Sequence, residues 1–558
     1  MLKRIGLARG NRGAAVLIAT LAVVAYRPLP LAAQNKAAVT GVVKSASGEP
    51  MAGALIKIRS ADSRLTFLVV SQAQGRYSTP ELLPGKYTVQ AFGGGYQSGA
   101  SAPVEVNGKP GKRDIVMSAP QTVYPRPKKY TDAEFEALMP EGDAKKLLLT
   151  RCEICHSPGN FVARRKTRAE WKETVATMRY RMQENPQIMK EYNAKTGLNV
   201  ATITDQEAET MADYLAKHYG PDKPPLIPSP RPDQHLPRTL LNGTEAKYFV
   251  MELNLGASML VGAFAVDAQG NVWISEKKSG ILGRLDPKTL SYTRVFTPPV
   301  NVSKEVFGTV AVDPKGHIWF TSNVIPNAQW FEYDPKSRKV VNTYDVPVPT
   351  TPGGDIFFNT LVFHPNGSIW ATVTAYHRLV KLDPNTRTVS EYRLREGQHP
   401  FGITLGGDNN IWYSGDADNF IGKVEPATGK VTPFHLPTPQ SGPRRLVADV
   451  EGNLWAATLA GGKLVKLDYR TGKMTQFVPP TAGGLQGVDV DRKQNLIWFS
   501  EYEAIKLGRF DPRTGSFAEF ALTSGDQPPW ITQVDPTHAN RVWWNSRGGR
   551  IGYVELMD

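Results

Sequence analysis

From about Glu245 to its last residue the chain alternates short apolar stretches with polar turns. One pair recurs, an aliphatic residue followed by Trp: Val272-Trp273, Ile318-Trp319, Ile369-Trp370, Ile411-Trp412, Leu454-Trp455, Ile497-Trp498 and Val542-Trp543. Successive Trp positions are separated by 46, 51, 42, 43, 43 and 45 residues. Most copies follow an Asp/Asn-Gly type turn and precede a strand ending in Asp-Pro, as in Gly283-Arg284-Leu285-Asp286-Pro287 and Gly508-Arg509-Phe510-Asp511-Pro512. A period of about 40–50 residues split into short strands predicts propeller blades, and seven copies predict seven of them over 241–558. The last copy stops after Tyr553-Val554-Glu555-Leu556, one strand short, while Lys247-Tyr248-Phe249-Val250-Met251 stands unpaired before the first. Pairing these two segments completes the seventh blade and removes two open edges.

The pattern differs upstream. Residues 37–119 alternate apolar and polar positions in β-branched runs, with turns at Ser47-Gly48-Glu49-Pro50, Gln74-Gly75 and Pro84-Gly85, which predicts a small β-sandwich. The motifs Thr40-Gly41-Val42-Val43, Pro50-Met51-Ala52-Gly53-Ala54, Gly75-Arg76-Tyr77 and Leu83-Pro84-Gly85-Lys86-Tyr87 resemble the carboxypeptidase regulatory-like domains. That resemblance implies a structural or docking module and no peptidase. Over 130–220 the signal turns helical, with capping boxes at Thr131…Glu134, Thr167…Glu170 and Thr204…Glu207 that predict three or more helices. The prolines of 221–240 predict a stiff extended linker and a domain boundary. The fold class expected is therefore multidomain and mainly β: a β-sandwich, a small all-α domain and a seven-bladed β-propeller.

Residues 1–33 read as an export signal, with a basic start, an apolar stretch from Ala14 to Tyr26 and the small-residue exit Leu31-Ala32-Ala33. That stretch is shorter than the roughly 20 residues a bilayer span needs, so cleavage near Ala33 and a periplasmic or secreted protein without a stable membrane span are expected. The formal net charge of +14 includes five basic residues of this leader, so +9 remains on the mature chain. No run of five or more basic residues marks a nucleic-acid arm, and nucleic acid is not expected as a partner.

Only two cysteines occur, which excludes a disulfide-stapled scaffold. They fall together in Cys152-Glu153-Ile154-Cys155-His156. Two thiols three positions apart can bond the two vinyl groups of one haem, and the next His then faces the iron as proximal ligand. A CxxC redox pair or half a zinc site is the competing reading; the chain has neither a second CxxC nor a thioredoxin-like βαβ context. The segment resembles class I-like cytochrome c domains. That resemblance implies one covalent haem c and a Met as second axial ligand, with Met178 the first choice and Met182, Met189, His218 or an open site the alternatives. Trp171, Val175, Met178 and Met182 share one helix face, a spacing that suits core packing equally well.

The propeller segment, with Val266-Asp267-Ala268-Gln269-Gly270-Asn271-Val272-Trp273 and Trp498-Phe499-Ser500-Glu501 as its clearest phrases, resembles the streptogramin (virginiamycin B) lyases. In that family a metal and His/Glu side chains of the last blades open a lactone. Aligned by the blade Trp, those positions hold Gln486, Gln527, Pro529 and, near the later Glu, Arg547. Gln and Pro cannot act as a general base and Arg cannot bind magnesium, so the resemblance extends to the scaffold and not to the activity. Glu276, Glu501, His399, Arg444, Arg445 and Asp355 fall at strand ends or connections facing the expected channel, where ion-paired rim residues are commonplace; His317 and His364 fall in turns open to solvent. No catalytic residue is assigned among them. Three functions stay open at this point. The first is an exported electron-transfer haem protein, or an oxidoreductase, whose propeller binds a redox partner or small organic substrate. The second is a lyase-type enzyme, and the third is a binding module with a vestigial haem segment.

Overall fold

The computed structural model describes residues 36–122 except 62, 131–152, 158, 162, 164–184, 190, 193–194, 197, 199, 202–224, 233, 235–256, 260–276, 281–296, 307–322, 328–346, 358–374, 377–394, 399–416, 419–481, 483–525, 527–546 and 548–557. The expected leader lies outside them. The part of 153–157 that carries Cys155 and His156 does too.

Seven four-stranded antiparallel sheets make up the propeller, and the inner strands of successive blades lie side by side around a closed ring. The recurring Trp has a structural explanation. In blade one, Asp267 ends the first strand and folds its carboxylate back: Oδ1 accepts from the backbone of Gln269 and Asn271, and Oδ2 accepts from Trp273 Nε1 at 2.8 Å. Asp313 with Trp319 and Asp449 with Trp455 repeat this at 3.0 and 2.9 Å. The turn residue between them has a positive φ at Gly270, Gly316 and Gly452, which only glycine adopts without strain. Each repeat Trp is at most 3% exposed. The hydrogen bond satisfies the indole N–H while its rings fill the space between blades.

A second device shapes the channel. In every blade the first strand carries a bulge against the second. The N–H freed there is captured by a polar side chain of the second strand: Ala263 by Ser275, Thr309 by Thr321, Thr360 by Thr372, Gly402 by Ser414, Gly487 by Ser500 and Ile531 by Asn545. Blade five departs from this, because the equivalent position, two residues beyond Trp455, is Ala457, which has no polar side chain.

The ring closes as expected. Tyr248–Asn254 pairs antiparallel with Arg550–Leu556, giving the seventh blade its fourth strand. The last gaps are sealed by side chains, with Val534 N donating to Asp489 and Val266 N donating to Gln533.

The outer edge of that strand is not open. Leu65–Val70 of the N-terminal domain pairs antiparallel with it, from Phe249↔Val69 to Leu253↔Leu65, so a sheet of the sandwich runs directly into blade seven. The sandwich itself has two sheets. Val39–Ser45 with Arg76–Ser78, Gly111–Lys112 and Ile115–Met117 faces Leu55–Ser60, Leu65–Val70 and Gly85–Gly93, with shorter edge strands. Val39, Ile56, Tyr87 and Val89 share one buried cluster with Phe249, Ile274 and Trp543 of the propeller. The linker is also docked at its C-terminal end rather than standing free as a stiff spacer: Leu236 is buried, Leu241 N donates to Gly53 O, and Gly95 N donates to Arg238 O.

The segment between forms helices α1 (Asp132–Ala137), α2 (Asp143–Cys152), α3 (Arg168–Glu184) and α4 (Asp205–Tyr219). All three capping boxes form, at Thr131, Thr167 and Thr204. Leu148 of α2, Trp171 and Val175 of α3, and Met211 and Leu215 of α4 make the shared core, and Trp171 Nε1 donates to Tyr219 O.

Candidate functional site

The strand registers put Asn359, Phe401, Arg444, Gln486 and Trp530 at equivalent positions on the first strands of blades three to seven, and Thr360, Gly402, Arg445, Gly487 and Ile531 one position on. Residues of several blades thereby converge on one end of the channel. The Phe401 and Trp530 rings meet with centroids 6.5 Å apart, Tyr502 joins Trp530 at 5.9 Å, and the Arg444 guanidinium lies 4.8 Å above Phe401. Arg444 is ion-paired with Asp416, and His399 lies 3.6 Å from the same carboxylate while stacking on His377. Arg444 is therefore the ion-paired rim residue expected of it, and His399 packs beside the same carboxylate.

Arg445 is different. Its Nη1 donates to Thr360 Oγ1 at 3.1 Å, two blades away, its Nε is buried without an acceptor, and no carboxylate pairs with it among the described residues. Gly402 permits the close approach of blades four and five, since a Cβ there would come within 2.9 Å of Arg445 Cα. Burial pushes the Arg445 guanidinium down to about 10, still charged at neutral pH. Gln486 is fully buried with both amide atoms unpartnered. Pro529 is buried, Gln527 half-buried, and Arg547 lies outside the described residues, as does Asp355.

Glu276 and Glu501 do not face the channel, contrary to expectation. Each ends the second strand of its blade and reaches outward to the fourth. Glu276 is saturated there, by Arg294 at 2.9 Å and Tyr292 at 2.7 Å. In blade six the register puts Glu519 where Arg294 stands and Phe517 where Tyr292 stands. Glu501 consequently has neither an Arg nor a Tyr partner, and burial together with the Glu519 charge pushes it up to about 8. Glu519 is held by Lys506 at 2.6 Å and Thr481 N at 2.7 Å, which keep its carboxyl below the usual range.

His317 and His364 are both half-buried and still reach solvent, His317 against Glu332 at 2.6 Å and His364 with its Nε2 2.9 Å from Asn409 O. Asp313, His317 and Glu332 group closely enough to suggest a metal. Asp313, however, already accepts from Lys315 N, His317 N and Trp319 Nε1, the same corner that Asp267 and Asp449 make in blades without a His. The trio is a blade corner.

In the helical segment α2 ends on Cys152, and Met178 is half-buried on the α3 face that carries the buried Trp171 and Val175. Cys155, His156 and Met189, and the side chains of Cys152 and Met182, lie outside the described residues. His218 packs against Tyr214 with tilted rings 4.6 Å apart, and burial lowers its basicity. The sequence reading missed Arg445's bond to Thr360, the Phe401, Trp530 and Tyr502 cluster, and Glu519. Counting back from the blade Trp places Asn359, Phe401 and Arg444 at the same eleven-residue spacing, whereas Gln486 and Trp530 lie twelve and thirteen residues back and join that column only through the strand registers.

Comparison with known proteins agrees with this architecture. The carboxypeptidase regulatory-like domain matches over residues 38–118, and the virginiamycin B lyase family over residues 335–557. A streptogramin B lyase structure is 25% identical, with a TM-score of 0.50, covering 56% of this chain and 100% of that one. The selenomethionine-substituted virginiamycin B lyase from Staphylococcus aureus is 24% identical, with a TM-score of 0.49 and the same coverage of each chain. No curated protein matches the chain. The chain thus joins a carboxypeptidase regulatory-like β-sandwich to a virginiamycin B lyase-like β-propeller.

Proposed function

We propose that this protein is an exported c-type cytochrome that transfers electrons, with the propeller binding its redox partner or a small organic substrate that supplies the electrons. The observation that carries the reading is Cys152-Glu153-Ile154-Cys155-His156, which uses the only two cysteines of the chain. The donor set suits haem c: two thiols for the vinyl groups and an imidazole for the iron. Cys152 and Cys155 would hold the porphyrin, His156 the iron, and Met178 the opposite face. Bound haem supplies one-electron chemistry. The helices contribute a buried apolar core that includes Trp171, Val175 and Leu148, and Met178 lies on the same face of α3 as Trp171 and Val175. The leader over 1–33 supports export, and periplasmic or secreted placement belongs to the same proposal.

Lactone opening is the weaker reading, because Gln486, Gln527 and Pro529 provide no general base where the lyase scaffold would need one. A streptogramin incubated with the purified chain is expected to stay intact.

The decisive experiment produces the full chain in a host competent for export and cytochrome c maturation. A pyridine haemochrome assay is expected to give one covalent haem per chain, and Cys152→Ala/Cys155→Ala none. Absence of haem in the wild type overturns the proposal. Met178→Ala is expected to convert the low-spin reduced spectrum to high-spin and lower the potential, with haem content unchanged. An unaltered spectrum removes Met178 as ligand and leaves the haem assignment standing.

A further inference from the structure

A cavity of about 540 Å³ opens at the seam between sandwich and propeller, far in sequence from the haem motif. The sandwich contributes Lys57, Arg59 and Arg64, and blade seven contributes Arg550 with Ser524 and Asn254. Among the described residues no carboxylate lines it. The two nearby acids are already engaged. Asp233 pairs with Lys57 at 2.5 Å. Glu252, 1% exposed, accepts from Arg550, Thr523 and Ser524 behind the wall.

Two of the cations are fixed in place. Arg550 Nη1 is held between Glu252 and Ser524, both at 2.8 Å, and Arg64 Nη1 donates to Leu255 O at 2.8 Å. The side chain of Arg59 projects from its strand into solvent at the cavity mouth. Among the described residues, four cations against two acids leave an excess of positive charge around one concave space, which concentrates anions there. Guanidinium groups supply paired N–H donors in the geometry that carboxylate and phosphate oxygens accept.

We propose that this seam is a binding site for a small multivalent oxyanion, a polycarboxylate or a phosphate compound, clamped by Arg59 and Arg64 of the sandwich and Arg550 of the propeller. Because both domains supply ligands, the anion stabilises their junction as well as binding to it.

Titration calorimetry on the full mature chain at low salt, with citrate and with pyrophosphate as separate probes, tests this. At least one probe is expected to bind saturably at one site per chain and to raise the melting temperature. The two arms tell carboxylate from phosphate selectivity. Arg59→Gln, whose side chain is exposed, is expected to keep the ligand-free melting temperature, and Arg59→Gln/Arg64→Gln to weaken binding at least tenfold. Arg59→Lys is expected to recover part of the affinity. The proposal falls if neither probe binds saturably, or if binding survives the double substitution unchanged. Neither readout depends on haem, so the outcome is independent of the cytochrome reading.

Discussion

Deleting residues 36–122 is expected to leave a propeller that self-associates and melts on the order of 10 °C lower than the full chain. The deletion strips Leu65–Val70 from the edge of Tyr248–Asn254 and exposes a row of unpaired N–H and C=O groups. It also opens the apolar space shared by Leu68, Val70, Leu55 and Phe92 with Tyr248, Val250 and Trp544. Each large side chain returned to water costs about 2 kcal/mol. The tail of the linker loses its anchors on Gly53 and Gly95 at the same time. Light scattering coupled to gel filtration is expected to show dimers and larger species that grow with concentration. Leu68→Asp in the full chain tests the same seam without a deletion, since it forces a charge into a fully buried position. A monodisperse fragment with an unchanged melting temperature would show the two domains to be energetically independent.

That seam marks where sequence reading stopped. The seven blades were legible because the buried Trp recurs once per blade, in most blades bonded to an Asp of the turn four to eight positions earlier, and local constraints repeat visibly along a chain. The closing strand was legible as well, since the seventh copy lacked one. The pairing of Leu65–Val70 with Tyr248–Asn254 joins segments about 180 residues apart and leaves no period. Its trace is compositional: Leu65-Thr66-Phe67-Leu68-Val69-Val70 is apolar at consecutive positions, as suits a strand covered on both faces, where an outer sandwich strand should alternate. The helical segment was readable from its capping boxes, which are also local. Glu276 and Glu501 were misplaced for a related reason. Both end a Trp-containing second strand, and strand ends point either way. What separates them is the residue 18 positions on, Arg294 for one and Glu519 for the other, across a register that only the folded blade defines. The lone guanidinium of Arg445 was named in advance, but its isolation from carboxylates is a property of the ring.

Glu501 gives the second large effect, a stability that falls as pH rises. Its carboxyl is pushed up to about 8 in the folded chain, against an ordinary value near 4.5 once unfolded. Below pH 4.5 both states hold the proton and the group is neutral toward folding. Between 4.5 and 8 the unfolded chain releases the proton while the folded chain keeps it, so stability drops with each pH unit by about 1.4 kcal/mol, and above 8 the loss is constant. The full penalty reaches about 5 kcal/mol. The physical origin is the loss of both partners that Glu276 enjoys: Arg294 has become Glu519 and the Tyr292 hydroxyl has become Phe517, so the charge would stand in apolar space beside a like charge. Glu501→Gln keeps the shape, carries no charge and can donate an amide N–H to Glu519. Its melting temperature is expected to equal the wild type's near pH 4.5 and to exceed it increasingly up to pH 8, flattening this part of the profile. Phe517→Tyr, which restores a hydroxyl at the position of Tyr292, is expected to recover part of the same stability. Parallel profiles for wild type and Glu501→Gln between pH 5 and 8 would mean that Glu501 is ionised in the folded blade and that solvent or a cation reaches it.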